Sequence, residues 1–112
     1  MKEIDITEGY LRSFIENLRP DDLEIRKEID FDYSWDGKVA YLNEIRPQWN
    51  KPENSLHRPF AKIRYYKSRE EWKLYWLRAS GKWESYEPFP TADTLQVLLD
   101  VIEKDEWHCF FG

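Results

Sequence analysis

Cysteine, histidine and glycine are all scarce in this chain of 112 residues, and each scarcity excludes a kind of site. Cys109 is the only cysteine, so no disulfide can form within the chain. Together with the two histidines it supplies too few nitrogen and sulfur ligands to close a structural zinc site. The four glycines stand singly, so no glycine-rich loop can cradle a phosphate. We therefore expect no metal and no cofactor.

Long apolar runs are also missing. None approaches the ~20 residues that an apolar helix needs to cross a bilayer. The N-terminus lacks the basic and then apolar pattern of a signal peptide. A lone thiol suits a reducing compartment. We expect a soluble, cytoplasmic protein that makes no contact with a membrane.

Aromatic residues and unevenly spread charges are what the chain does contain. Hydrophobic residues make up 41% and aromatic residues 17%, which indicates a folded chain. The length predicts a single domain over residues 1–112. The net charge is -5, so broad attraction to polyanions is not expected. Residues 60–85 nevertheless hold seven Lys or Arg and three Glu, which makes the middle of the chain basic.

Two helices are predicted at the ends of the chain. The first is capped by Asp5, with Glu8 completing a capping box, and it ends before Pro20. The second begins at Asp93, with Gln96 three residues on. Their apolar stripes comprise Ile6, Tyr10, Phe14 and Leu18 in the first helix and Leu95, Leu98, Leu99 and Ile102 in the second.

Alternation over residues 23–33 predicts the first strand. The chain then turns, and two loops compete. A two-residue Asp36-Gly37 turn would set Tyr33 opposite Ala40, whereas a three-residue loop would set it opposite Val39. We favour the second because it places the apolar residues of the next strand in the core. Those residues are Val39, Tyr41 and Ile45.

Prolines divide the rest of the sheet. Three of them interrupt residues 47–59, which predicts an irregular loop held down by Trp49 and Leu56. Pro88 and Pro90 are expected to end the sheet. The predicted fold is therefore α+β: an N-terminal helix, a five-stranded antiparallel meander, and a C-terminal helix packed on one face of the sheet.

The clearest hairpin joins residues 60–67 to residues 72–79. A four-residue loop at 67–70 pairs Tyr65 with Trp72 and Ile63 with Leu74. A tight Ser80-Gly81 turn then leads into a last strand at 82–86 and sets Trp83 opposite Arg78. This register directs one basic and aromatic set of side chains to solvent. We predict that the set binds a partner, with Arg46 and the 47–59 loop at its rim: Lys62, Arg64, Lys73, Tyr75, Lys82 and Tyr86.

Several segments carry a resemblance to a known family. They are Glu44-Ile45-Arg46-Pro47-x-Trp49, Pro59-x-Ala61-Lys62, Trp72-Lys73-x-Tyr75-Trp76-x-Arg78-Ala79-x-x-Lys82-Trp83-x-x-Tyr86-x-Pro88 and Cys109-Phe110-Phe111-Gly112. From about residue 40 to the end, the chain resembles bacterial family 3024 of domains of unknown function. The resemblance implies a stand-alone cytoplasmic bacterial protein and assigns it no activity.

Three functions remain open from the residues alone. A basic, aromatic surface suits an anionic partner, either single-stranded nucleic acid or an acidic protein segment, in a non-enzymatic binding or adaptor module. The alternative is a small hydrolytic or nucleolytic enzyme built on Glu44, Arg46 and Glu71, although we favour an ion-pair network between sheet and loop as the role of the first two. A purely structural subunit is the third. Trp72, Trp76, Arg78 and Trp83 are interpreted as core packing and not as an aromatic cage.

Overall fold

The structure, a computed structural model, describes residues 6–111. Asp5, the predicted cap of the first helix, lies outside these residues. The elements in chain order are α1 (Ile6–Leu18), α2 (Leu23–Arg26), β1 (Asp30–Trp35), β2 (Val39–Gln48), β3 (Lys51–Tyr66), a 3-10 turn (Lys67–Arg69), β4 (Glu71–Leu77), β5 (Trp83–Ser85), β6 (Thr91–Ala92) and α3 (Leu95–Lys104). The predicted α+β class is confirmed. None of the described helices is long and apolar enough to span a membrane.

The strands form one antiparallel sheet in the order β1-β2-β3-β4-β5, which is the predicted meander. The sheet contains one strand that was not predicted, because β6 also pairs with β4. The chain stays close to this edge between β5 and β6: Tyr86 N donates to the Leu74 carbonyl, and Leu74 N donates to the Pro90 carbonyl, each at 2.9 Å. The expectation that Pro90 ends the sheet is therefore wrong, since a proline carbonyl can still accept a ladder hydrogen bond.

The core lies between the two long helices and one face of the sheet, which we call the covered face. The apolar stripe of α3 is buried as predicted, whereas Ile6 and Tyr10 of the α1 stripe are exposed. Burial of this apolar surface is the main favourable term in folding. The core residues of the covered face and of the helices are Leu11, Phe14, Ile15, Ala40, Leu42, Ala61, Ile63, Trp72, Leu74, Leu95, Leu98, Leu99 and Ile102.

The strand predicted over residues 23–33 is wrong in its first half. Residues Leu23–Arg26 form the short helix α2, and the strand begins only at Asp30. The Asp22 carboxylate accepts a hydrogen bond from Glu24 N at 2.8 Å, so the N-cap satisfies a donor that a strand would leave free. This local capping hydrogen bond outweighs the alternating pattern that follows it.

Both predicted registers of the first hairpin are wrong, because Tyr33 pairs with Leu42. The Asp36 carboxylate accepts hydrogen bonds from Lys38 N at 2.8 Å and Val39 N at 2.7 Å. These bonds close a tight turn in which Gly37 has φ +94°, a conformation that favours glycine. As a result, the residues predicted to be core alternate with the buried ones. They are Val39, Tyr41 and Ile45.

The irregular loop predicted at 47–59 is instead the far part of a long β2–β3 hairpin. The ladder continues through Pro47, which pairs with Ser55, and it shifts register beside Gln48. Trp49 stands at the hairpin turn with 90% of its surface exposed, so it does not hold the segment down. Prolines are tolerated here because register shifts remove the need for some ladder donors.

The C-terminal tail packs against the covered face through Asp105. This residue follows α3 with φ +43°, and it is only 6% exposed. Its carboxylate accepts hydrogen bonds from Phe110 N at 3.0 Å and Phe111 N at 2.8 Å. The Phe110 ring then lies 4.9 Å from the Tyr86 ring. At the other end of α3 the N-cap position is Thr94, so the predicted cap at Asp93 is wrong by one residue.

A basic aromatic face on the sheet

The β3–β4 register agrees with the prediction. Tyr65 pairs with Trp72 and Ile63 with Leu74 on the covered face, and the loop spans residues 67–70. The other side of the sheet carries the alternate residues, and no described helix packs on it. We call this side the open face. Its central residues are Tyr41, Lys62, Arg64, Tyr66, Lys73, Tyr75, Leu77 and Trp83.

Three cations stand together on the open face. Arg64 pairs directly with Lys73, and Lys62 pairs with Tyr75. Among the described residues, no carboxylate oxygen lies within 4.0 Å of any of these three cations. Some arginines elsewhere are paired, such as Arg19 with Asp30 at 2.8 Å and Arg78 with Glu84 at 3.0 Å, whereas Arg26 and Arg58 also lack a carboxylate partner among the described residues. What distinguishes this face is that three cations without a carboxylate partner lie side by side on two neighbouring strands.

Two tyrosines lie among these cations and are joined through their hydroxyl groups, which are 2.9 Å apart. The Tyr75 ring centroid is 4.9 Å from Lys62 Nζ and 5.3 Å from Lys73 Nζ. The Tyr66 ring centroid is 4.8 Å from the guanidinium carbon of Arg64. Each ring thus presents its negative π face to cations, an attraction that orients the cations without neutralising them.

The Tyr66–Tyr75 hydrogen bond separates the acidities of the two phenols. Hydrogen bonding from Tyr75 lowers the pKa of Tyr66, and the charges of Arg64, Lys73 and Arg69 lower it further. Burial, followed by the same hydrogen bond, raises the pKa of Tyr75 to about 12. Tyr66 is therefore the first of the two to ionise.

A second pair of rings, Tyr41 and Trp83, was predicted in the core and lies on the open face. Trp83 pairs with Leu77, not with Arg78, because the turn before it contains three residues, with Gly81 at φ +87°. Its ring centroid is 5.9 Å from that of Tyr41, with 52° between the ring planes. Gly81 N donates a hydrogen bond to the Arg78 carbonyl, which is typical of a type I turn followed by a left-handed glycine. The sequence signal that was missed is therefore the position of Gly81, three residues after Arg78.

Two residues predicted for the binding surface are not on the open face. Tyr86 is 2% exposed and packs on Phe110 beneath the covered face. Lys82 is exposed, but its carbonyl accepts a hydrogen bond from Arg78 N, and it alternates with Trp83 to the covered side. Both errors have the same cause: a one-residue change in turn length moves every later side chain to the opposite face.

Arg69 is a further cation that was not among the predicted binding residues. It lies in the 3-10 turn, and its guanidinium carbon is 4.4 Å from the Tyr66 ring centroid. Its Nε also lies 3.6 Å from Glu71, so part of its charge is compensated. Its side-chain direction could not be predicted, because it lies in a turn and alternation applies only to residues within a strand.

The predicted rim residue Arg46 also leaves the open face. It lies on the same side of β2 as the buried Leu42, four residues away, and it forms a close ion pair with Glu44. Glu71 lies on the open face, paired with Tyr66, whereas the β3 partner of Glu44 is Arg58. The two carboxylates are therefore on opposite sides of the sheet and roughly 25 Å apart along it. The structure does not bring Glu44, Arg46 and Glu71 into one site.

The interpretation of the other aromatic residues as core packing is partly right. Trp72 is buried, with its ring centroid 4.7 Å from Tyr65 and 5.8 Å from Trp35. Trp76 packs against the same core. Trp83 is the exception. Within residues 6–111, no group of three or more His, Cys, Asp or Glu side chains could hold a metal ion.

The chain belongs to the family described as Domain of unknown function (DUF3024), whose family model matches residues 2–112. The match covers both the covered face and the open face, so the open face is part of the family domain. No curated protein and no solved structure matches the chain significantly.

Proposed function

We propose that this protein is a non-enzymatic binding or adaptor module, and that its open face engages an anionic partner. The observation that carries the proposal is the group of three cations, Lys62, Arg64 and Lys73, which have no carboxylate partner among the described residues. The chain holds 22 Asp and Glu against 17 Lys and Arg, so acidic side chains were available to neutralise them.

The energetics of the ladder support this function. Arg64 and Lys73 face each other directly across β3 and β4. Like charges so opposed destabilise a sheet, on a scale of about 0.2–1 kcal/mol per pair. A phosphate or carboxylate placed between them would turn this repulsion into two favourable contacts. The arrangement thus has a cost in the free protein that a bound anion removes.

The net charge of -5 makes such binding local rather than general. The overall charge repels a polyanion, and the adjacent cations of the open face supply a local attraction. Exposed charges are screened over about 10 Å at 0.1 M salt, so the attraction depends on ionic strength. We expect a partner that binds this one face and dissociates as salt is raised.

A cytoplasmic location also belongs to this proposal. Cys109, the single cysteine, is a half-buried free thiol, and burial raises its pKa. Such a thiol is slow to oxidise, and a reducing compartment would keep it free. Fractionation of cells that produce the tagged chain tests the location: recovery with periplasmic or membrane fractions would contradict it.

The test of the binding function uses two defined polyanions, a fluorescein-labelled single-stranded oligonucleotide and a fluorescein-labelled polyglutamate peptide. Fluorescence anisotropy measures the binding of each to the wild type and to the triple variant Lys62→Glu, Arg64→Glu, Lys73→Glu. We expect the wild type to bind at least one probe with an affinity that falls as salt rises. The triple variant should lose that binding.

A matched control separates the open face from net charge. The variant Lys27→Glu, Lys51→Glu, Lys104→Glu changes the net charge by the same amount at three exposed positions away from the open face. It should bind as the wild type does. Circular dichroism of both triple variants reports whether each is folded. Equal binding by the wild type and the open-face variant, or no binding of either probe, would overturn the proposed function.

A further inference from the structure

The four rings of the open face lie along the sheet. The direct partners of Tyr66 and Tyr75 are Glu71 and Lys62, so the two tyrosines are four residues apart along β3, roughly 13 Å. Their hydroxyl groups meet at 2.9 Å only because both side chains lean over the face toward each other. Each ring keeps part of its surface exposed.

The Tyr41–Trp83 pair spans the sheet in the other direction. Tyr41 is on β2 and Trp83 on β5, with β3 and β4 between them, yet their ring centroids are 5.9 Å apart. Strands are about 4.8 Å apart, so both side chains must reach across the intervening strands. These two rings therefore cover part of the open face, and they are themselves only half-buried.

Cations and rings alternate across the strands. Lys62 pairs with Tyr41 on one side and with Tyr75 on the other, which gives the order ring, cation, ring. Arg64 and Lys73 lie one ladder step away, two residues along each strand. The repeating unit of a single strand of nucleic acid has the same character: a flat base, a negative phosphate, and the next base.

We infer that the anionic partner is single-stranded nucleic acid, whose bases stack on the Tyr75 and Trp83 rings while its phosphates bind Lys62, Arg64 and Lys73. This inference rests on the proposed function and narrows it to one class of partner. Base–aromatic stacking tolerates any sequence, because every base has a π face. Binding is therefore expected with little preference for base identity.

The rings favour nucleic acid over an acidic peptide. The face of an aromatic ring carries the negative part of its quadrupole, so it attracts cations and does not attract a carboxylate. Four half-buried rings would contribute little to holding a glutamate-rich segment, whereas they offer stacking surface to bases. A duplex is also disfavoured, because its bases are already stacked on each other and do not expose their faces.

The number of phosphate contacts sets the expected salt dependence. For single strands, log K falls with log salt at a slope of about -0.7 for each phosphate that is neutralised. Three cations predict a slope of about -2. Because Arg69 is partly compensated by Glu71, we do not count it among the full contacts.

Two ring variants test the stacking. Trp83→Leu removes an indole but leaves an apolar side chain, and loss of one stacked base should weaken binding by about fivefold to a hundredfold. Tyr75→Leu should do the same, whereas Tyr75→Phe keeps the ring and should bind nearly as well as the wild type. Trp49→Leu is the matched tryptophan control, since Trp49 is exposed at the β2–β3 turn.

The probes are a labelled single-stranded thymidine oligonucleotide of about twelve nucleotides, its duplex with adenosine, and labelled polyglutamate. Tighter binding of the single strand than of the other two, weakened by Trp83→Leu or Tyr75→Leu and not by Trp49→Leu, supports the inference. Circular dichroism identifies a variant that fails to fold, and the other ring variant then decides.

Two results would overturn the inference and leave the proposed function standing. One is polyglutamate that binds as tightly as the single strand, with no loss on removal of a ring. The other is a duplex that binds as tightly as the single strand. If neither polyanion binds the wild type, the inference and the proposed function fail together.

Discussion

The two faces of the sheet use the same strands for opposite purposes. On β4, Leu74 is fully buried against the helices, while its neighbours Lys73 and Tyr75 stand on the open face among unpaired cations. Burial of apolar surface rewards the covered face. The open face has like charges opposed across β3 and β4, and its rings are only half-buried, so it gains less from the burial of apolar surface. Burial explains the composition of the covered face, whereas the composition of the open face is what the proposed binding function would require.

A close ion pair supports the helix side of the fold. Arg19 binds the Asp30 carboxylate through two nitrogens, at 2.8 and 3.1 Å, where the end of α1 meets the start of β1. No comparable carboxylate faces Lys62 among the described residues. The Arg19–Asp30 pair therefore supports packing, whereas Lys62 lies against the Tyr75 ring, which attracts its charge without neutralising it.

The largest effect should come from the matched pair Leu74→Ala and Lys73→Ala. Truncating the fully buried leucine should lower the free energy of unfolding by about 2–5 kcal/mol, because it leaves a cavity in the core. The lysine change should stay within about 0.5 kcal/mol. Urea unfolding followed by circular dichroism measures both. Similar losses from the two changes would mean that the faces are not different in kind.

The next effect concerns the tail that packs at the covered face. Asp105→Ala removes the acceptor for two backbone N–H groups and should lower the free energy of unfolding by about 1–3 kcal/mol. Asp105→Asn keeps one acceptor and tolerates the positive φ, so its loss should be smaller. Urea midpoints for the three proteins check the order. Equal losses from both changes would indicate that the hydrogen bonds are not the cause.

A smaller, pH-dependent effect is expected at Asp30. Hydrogen bonding from Arg19 lowers the pKa of Asp30 below 3.8. The ion pair therefore stabilises the fold above the pKa of the unfolded chain, and this contribution is lost as pH falls through the folded-state pKa. Asp30→Asn should cost about 1 kcal/mol near neutral pH and little at strongly acidic pH. Thermal unfolding across acidic pH measures the difference, which should shrink and not grow.

The smallest effect has the opposite sign. Lys73→Glu places a carboxylate directly across the ladder from Arg64 and should raise the free energy of unfolding by about 0.2–1 kcal/mol. The same change should weaken oligonucleotide binding. Paired measurement of stability and anisotropy checks it. A variant that is less stable than the wild type would show that the free open face is not strained by its own charges.

The two hairpins show what could be predicted and why. For β3–β4, loop length and alternation agree with each other, and the predicted pairing of Arg64 with Lys73 is confirmed. For β1–β2, the ladder ends at Trp35 and Ala40, and the four residues between them, closed by the Asp36 side chain, make a longer loop than either that was considered. The candidate residues on β3 and β4 therefore share one face. Tyr41 depends on the β1–β2 register, and it was assigned to the wrong side of the sheet.

Sequence alone determined the alternation within each strand, the buried stripe of α3, the scarcity of metal ligands and the basic middle of the chain. These are local properties, or properties of composition, and no partner strand is needed to read them. Only the tertiary structure decided which side chains of neighbouring strands lie on the same face of the sheet. Register depends on turn hydrogen bonds and on the β2–β3 register shift, and a slip of one residue reverses a whole strand. For that reason Trp83 lies on the open face and Tyr86 lies in the core, each opposite to its predicted position.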